Sequence, residues 1–215
     1  MLSGIEEIIS CVLGAMCILP EYFGPPILLR PESSLYPRLA QFLYLGFHEA
    51  HKPRHGSLYL EVGHTHDVAA PSGGTWTRPD LAAVGISRGR FAATVEVRLF
   101  SFEVKTADGC RLQSVHEALA HTRFVNYSYL VWNRPACICD DEENYQAILS
   151  NCAAYGVGLI TIHNPNDLNT FQIRLCARRK KVAADLIDEF ILTRFSPAEQ
   201  ARIDGAMQRY CVGSQ

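Results

Sequence analysis

Between Val95 and Lys105 the chain reads VEVRLFSFEVK. This is the period-two pattern of a strand whose side chains point alternately to opposite faces. Phe102 and Val104 fall on one face, Glu103 and Lys105 on the other. The apolar flanks put this strand in a core, where a charged pair is costly unless it has partners. The natural partner is Asp80, which follows Arg78-Pro79 and opens an apolar run through Ile86. The fold must therefore lay two neighbouring strands so that Asp80 meets Glu103 and Lys105.

That requirement sets a register. In an antiparallel pair, Asp80 lies opposite Glu103 only if the hairpin is centred near positions 91 and 92, with a broad tip between Arg88 and Val95. A tight turn over Ser87 to Arg90 would set Asp80 opposite Val97 and carry Glu103 about 20 Å away at strand rise.

The remaining elements follow from periodicity. Leu35, Leu39, Phe42, Leu43 and Phe47 recur at helical spacing after Glu32-Ser33-Ser34, which predicts a core helix over 34–50, stopped by Pro53 and Gly56. Leu58 to Val62 reads as a short strand, 67–75 as a loop of small residues, and Asp80 to Ile86 as the strand before the hairpin. Gln113 to Phe124 is expected as a helix with Val115, Leu119 and Thr122 on one side, and Tyr127 to Trp132 as a strand. Asp141 to Tyr155 reads as a helix capped at Gly156, and Val157 to Ile162 as a buried strand. Phe171 to Ala177 is a further strand and Val182 to Thr193 the terminal helix. This order implies an α/β protein, a mixed sheet with helices on both faces.

The 215 residues, 48% hydrophobic and 20% charged, suffice for one large domain with a real core. At a net charge of −2 the chain as a whole does not advertise a polyanion partner, so any such contact must use local basic patches. Candidates are Arg178-Arg179-Lys180-Lys181, to grip phosphates, and Arg88 and Arg90 on the hairpin tip, to enter a groove. The eight cysteines suggest a disulfide framework only by count, in a chain far longer than a small stapled scaffold, and read as mostly buried reduced thiols. Ile5, Ile8, Ile9, Val12, Leu13 and Met16 describe an amphipathic helix, interrupted by acids and too short in its apolar run to span a membrane. The expected organisation is this helix with a Pro-rich link over 1–31 and one domain over 32–215, in a cytoplasmic protein.

Two carboxylates and an ammonium on adjacent strands suit phosphodiester hydrolysis. The phosphate oxygens repel a nucleophile and the leaving alkoxide is poor; a divalent cation answers both. Asp80, Glu103 and the Val104 carbonyl offer the hard oxygen ligands that Mg²⁺ or Mn²⁺ prefers. Lys105 can orient the attacking water and stabilise the charge that develops.

The string from RPDLAAVG through FSFEVK to the next helix and YSYLVW resembles the PD-(D/E)XK nuclease superfamily, the restriction-endonuclease-like fold. The superfamily signature is Pro-Asp, a variable hairpin, then acid-x-Lys; here it is Pro79-Asp80 and Glu103-Val104-Lys105. The resemblance runs over roughly residues 32 to 195. The chain is also similar to a group of uncharacterised bacterial proteins in which an LYPxLAxFL helix precedes the motif, as Leu35 to Leu43 does here. It implies a metal-dependent endonuclease acting on DNA in restriction, phage defence or repair. Many relatives carry Gln-Ala on the helix after the lysine, where this chain has Glu117-Ala118, with Gln113 one turn earlier. Some place a glutamate on the first helix near the metal; Glu32 fits that role here, Glu49 second. Cleavage of a duplex with one site per chain favours a two-fold homodimer.

Other readings stay open. The same fold without activity would be a module that binds nucleic acid or a protein. His64 and His66 alternate after a strand and with Cys137 and Cys139 could ligate zinc, although loop histidines are commoner. His64 could also contact phosphate or water beside Asp80. Glu61 reads as a solvated or ion-paired residue and Trp76 as packing. Ser114 and Ser128 lack the base and orienter that a nucleophile needs.

Overall fold

The computed structural model describes residues 31–53, 56–65, 78–89, 94–135 and 142–212. The chain divides into two units, Met1–Arg30 and Pro31–Gln215, and every described residue belongs to the second. The expected N-terminal amphipathic helix, Trp76, Arg90, His66, Cys137 and Cys139 lie outside the described residues.

The first helical run, α1, begins as a 3-10 turn at Glu32–Leu35, continues as α-helix over Tyr36–Phe42, loosens to a π segment at Leu43–Phe47 and ends at His48–His51. Strands β1 (Gly56–Gly63), β2 (Leu81–Gly89) and β3 (Val95–Lys105) follow. Then come α2 (Leu112–His121), β4 (Tyr127–Asn133), α3 (Glu142–Tyr155), β5 (Gly158–Ile162) and β6 (Phe171–Leu175). Two helices close the chain, α4 (Ala184–Arg194) and α5 (Pro197–Val212). The six strands form one sheet in chain order. β3, β4 and β5 run parallel, while β1, β2 and β6 pair antiparallel with their neighbours.

Alternation along the strands builds two cores. On the first face the α1 stripe Leu35, Leu39, Phe42, Leu43 and Phe47 packs on Leu81, Ala83, Phe100, Phe102, Val104, Tyr129 and Val131. The Phe47 ring sits edge-on to Phe100, Phe102 and Tyr129 at 5.2–5.4 Å, a geometry that adds to simple burial. On the second face Ala82, Val84, Ile86 and Leu99 meet Phe190, Ile203 and Ala206 of α4 and α5. Leu130, Trp132 and Leu159 meet Val115 and Ala118 of α2 and Ile148 and Cys152 of α3. Helices thus cover both faces of a mixed α/β sheet.

The register matches the one the charged residues require. Leu81 pairs with Phe102 and Arg88 with Val95, so the hairpin is centred beyond Gly89 and a tight turn at Ser87 to Arg90 is ruled out. Three expectations are corrected. Asp80 is not in the strand, which starts at Leu81. α2 stops at His121 rather than Phe124, and it buries Ser114, Val115, Ala118 and His121 rather than a stripe through Thr122. α4 is not terminal, because α5 follows. The signal for α5 is in the sequence: Ser196 N–H donates to Glu199 Oε2 at 2.7 Å and Glu199 N–H returns to Ser196 Oγ at 3.4 Å, a capping box with Pro197 at the first position.

Gly156 ends α3 at φ +75°, a conformation that costs other residues but not glycine. Gly158 opens β5 because any Cβ there would collide with the Tyr129 ring. No helix among the described residues is long and apolar enough to cross a membrane.

Candidate active site

The site forms where β2 begins and β3 ends. Continued by one step, the β2–β3 ladder would pair Val104 with Pro79, which has no N–H to give. The Pro79 carbonyl instead accepts from the buried Thr65 hydroxyl at 2.6 Å, and the Asp80 carboxylate takes over the ladder: Oδ2 accepts the Val104 N–H at 2.8 Å. Asp80 Oδ1 accepts from the Tyr36 hydroxyl of α1 at 2.6 Å. The carboxylate is thus fixed at both oxygens beside the peptide that joins Glu103 to Lys105. Within a strand a residue's N–H and C=O point to the same edge, so the Val104 carbonyl opens toward Asp80 as well.

Glu103 and Lys105 leave β3 on the second face, as alternation requires, and Val104 is fully buried on the first. Lys105 Nζ lies 2.8 Å from Glu103 Oε1, 3.0 Å from Glu117 Oε2 on α2 and 3.9 Å from Glu32 Oε1 on α1. Gln113 does not reach the lysine; its amide donates to Glu117 Oε1 at 3.0 Å and so steadies Glu117. Glu103 Oε2 faces His121 Nε2 at 3.7 Å, and the buried His121 Nδ1 has no hydrogen-bond partner among the described residues.

Electrostatics at this junction are strained toward excess negative charge. Burial, then the charge of Asp80, holds the Glu103 carboxyl above the usual carboxylate range, against the pull of Lys105. Burial raises Glu32 too, again opposed by Lys105. Burial disfavours the Lys105 ammonium, yet Glu103, Glu117 and Glu32 together hold its pKa above the ordinary lysine value. Burial and the hydrogen bond to Asp80 raise the Tyr36 phenol. Burial, followed by the charge of Lys105, pushes His121 down to about 3, so its ring is neutral.

Three carboxylates lie within 4.0 Å of the one ammonium and Asp80 adds a fourth charge beside Glu103, an excess that a cation would offset. The donor set of Asp80, Glu103 and the Val104 carbonyl is all hard oxygen, which suits Mg²⁺ or Mn²⁺ with remaining positions left to water. Among the described residues no group of three or more His, Cys, Asp or Glu side chains is arranged to hold a metal ion. An ion here would therefore depend on the main-chain carbonyl and on water.

The structure brings together Asp80, Glu103, Val104, Lys105, Glu32 and Glu117, with Gln113 behind Glu117. His64 is exposed just past β1, and Glu49 is exposed at the far end of α1, beside His48 and Lys52. The basic residues chosen from sequence that are described, Arg88 and Arg178 to Lys181, are not at this site. Arg88 pairs with Val95 at the opposite end of the hairpin, eight residues or about 26 Å along β3 from Glu103, and its guanidinium donates to the Tyr210 carbonyl of α5. Arg178 and Lys180 donate to carbonyls in the last turn of α3, a capping role, and Arg179 pairs with Glu96. The Lys180 N–H bonds the carbonyl of Asn126, ahead of β4, which fixes this run at the far end of the parallel strands; Lys181 is exposed beside it.

Glu61 is buried and ion-paired: Arg202 donates Nε and Nη2 to its Oε1 at 2.9 and 2.7 Å, and Tyr59 donates to Oε2. Ser114 accepts the Arg111 N–H, and Ser128 donates to the Ala118 carbonyl, structural roles for both. Sequence reasoning missed Tyr36, Thr65 and His121. Tyr36 alone left a trace, one residue beyond Leu35 at the start of the apolar stripe.

No family model and no curated protein matches this chain. Among solved structures it is similar to the SPO1766 protein of unknown function from Silicibacter pomeroyi, at 14% identity and a TM-score of 0.41, over 87% of this chain and 95% of that one. A likeness of this size carries no argument about function.

Proposed function

We propose that this protein is a metal-dependent nuclease that hydrolyses phosphodiester bonds, with DNA as its substrate. The observation that carries the reading is the convergence of Asp80, Glu103 and Lys105 around the Val104 peptide, in a setting with more negative charge than its one ammonium offsets. The mixed α/β sheet is compatible with the restriction-endonuclease-like architecture that the motif resembles.

Asp80, Glu103 and the Val104 carbonyl would hold Mg²⁺ or Mn²⁺. When bound, the ion would neutralise phosphate charge and lower the pKa of a coordinated water. Lys105 orients the attacking water and stabilises the charge that grows on the phosphorus oxygens. Glu117 and Glu32 hold the ammonium in position and charged. Tyr36 and the Val104 N–H keep the Asp80 carboxylate from rotating out of the site.

The test is cleavage of single-stranded, duplex and branched DNA, and of RNA, by the purified full chain with Mg²⁺, Mn²⁺ or EDTA. Wild type should cut at least one DNA substrate only with metal. Lys105→Ala should lose about 10²–10³ in rate, as expected for one preorganised electrostatic group. If Lys105→Ala cuts as well as wild type, the mechanism is wrong. If wild type cuts nothing, the protein is a binding module of this fold, a reading favoured by the hydrogen bonds that already occupy both Asp80 oxygens.

A further inference from the structure

Arg174 breaks the ladder around it. Ile160 pairs with Ile173 and Leu159 with Leu175, so Arg174 opposes no residue: it is the extra residue of a bulge on the last strand of the sheet. The bulge reverses the alternation, since Ile173 packs with the first-face core and Leu175 with the second-face cluster of α2 and α3. Bulges at sheet edges re-aim side chains in this way.

The re-aimed guanidinium is held by two neutral acceptors. Nε donates to Thr161 Oγ1 at 3.0 Å, and Nη2 donates to His163 Nε2 at 3.1 Å. His163 is able to accept because its Nδ1 faces the Arg134 carbonyl at 2.8 Å. A carbonyl cannot donate, so Nδ1 carries the proton and Nε2 the lone pair. Among the described residues no carboxylate is ion-paired to Arg174, in contrast to Arg134, which meets Glu142, and Arg179, which meets Glu96. Arg174 is exposed, and its other guanidinium hydrogens form a planar, fixed, fully charged fork.

This fork lies at the same end and face of the sheet as the candidate site. Lys105 pairs with Trp132, and Trp132 with Thr161. Two strand spacings, about 10 Å, separate Lys105 from the residue that holds Arg174. A rigid arginine with an open edge, beside a site that would act on phosphate, is suited to a phosphate oxyanion.

We infer that Arg174 binds a backbone phosphate of the nucleic acid flanking the one that is cut, and that Thr161 and His163 are its positioning residues. This rests on the nuclease reading of the site. It replaces the far-end basic residues, which cap α3 or pair with other elements, as the contact that seats the substrate.

The test measures binding of labelled single-stranded and duplex DNA to the full chain in EDTA, so that no cleavage occurs, over a salt series. Arg174→Ala should weaken binding about tenfold. It should also make the slope of log affinity against log salt shallower by about 0.7–0.9, the loss of one phosphate contact. Arg174→Lys should restore the slope but not the affinity, because the fork is lost. His163→Ala and Thr161→Val should lower affinity with the slope unchanged. If wild type and Arg174→Ala share both slope and affinity, the inference is overturned, while the nuclease reading stands as long as wild type cuts with metal. If Arg174→Ala binds more weakly but wild type cuts nothing, Arg174 remains a nucleic-acid contact and the nuclease reading falls. Absence of any binding by wild type overturns the inference.

Discussion

Replacing Lys105 by methionine keeps the length of the side chain and removes its charge. In the wild type Nζ lies 2.8 Å from Glu103 Oε1, and the two side chains are only 15% and 11% exposed. Stripping one partner from a pair this far out of water costs about 3–5 kcal/mol, because a buried charge is left uncompensated. Glu103 has an escape: it can take up a proton. Burial and the Asp80 charge already hold its pKa above the unfolded value near 4.5, and Lys105 is what pulls it back. Without Lys105 it rises further. A group whose folded pKa is raised contributes stability that is fully present below the unfolded pKa and lost as pH rises through the folded one. Lys105→Met should therefore cost about 1 kcal/mol near pH 5, where Glu103 is protonated, and about 2 kcal/mol near pH 9. A Glu103 pKa pushed up to about 8 in the wild type leaves only about one pH unit, or about 1.4 kcal/mol, for the two proteins to diverge. Urea unfolding of both proteins at the two pH values, with the denaturant slope checked for constancy, reads this directly. A loss that is equal at both pH values, or below about 0.5 kcal/mol throughout, would refute the buried-pair account and leave Lys105 as an ordinary surface partner.

Tyr36→Phe removes a 2.6 Å donor to Asp80 from a residue that is 6% exposed, and should destabilise the protein by about 1.5–3 kcal/mol in urea at neutral pH. A change near zero would mean that the Tyr36 hydroxyl does not hold Asp80. His121 works in the opposite sense to Glu103. Its pKa falls from 6.5 to about 3 on folding, so the unfolded chain takes up a proton first and stability is lost as pH drops through that window, by up to about 1.4 kcal/mol per pH unit. His121→Leu should flatten this acid limb; an unchanged limb would assign the loss to other groups.

Much of the arrangement was legible because strand alternation and helical spacing report directly on which side of an element is buried. The split of VEVRLFSFEVK into an apolar face and a charged face, the stripe Leu35 to Phe47, and the hairpin register all follow from such patterns. The register was legible for an added reason: Asp80, Glu103 and Lys105 are too costly to bury apart. The α5 helix is also written locally, in Ser196-Pro197-Ala198-Glu199, although its apolar face is weak. What the basic run Arg178 to Lys181 does was not legible. A charge run looks the same whether it faces a polyanion or the carbonyls at a helix end.

By itself, then, the sequence determined the two faces of the central strand, the α1 stripe and the pairing that sets Asp80 beside Glu103. Only the tertiary structure decided what surrounds them. It brought Tyr36 to Asp80 across the first face, Glu117 and His121 to Lys105 and Glu103 across the second, and Arg174 to His163 through a bulge. The physical reason is that periodicity fixes the direction of a side chain relative to its own backbone. Which distant side chain it then meets depends on how loops close and cores pack, and that is a property of the whole chain at once.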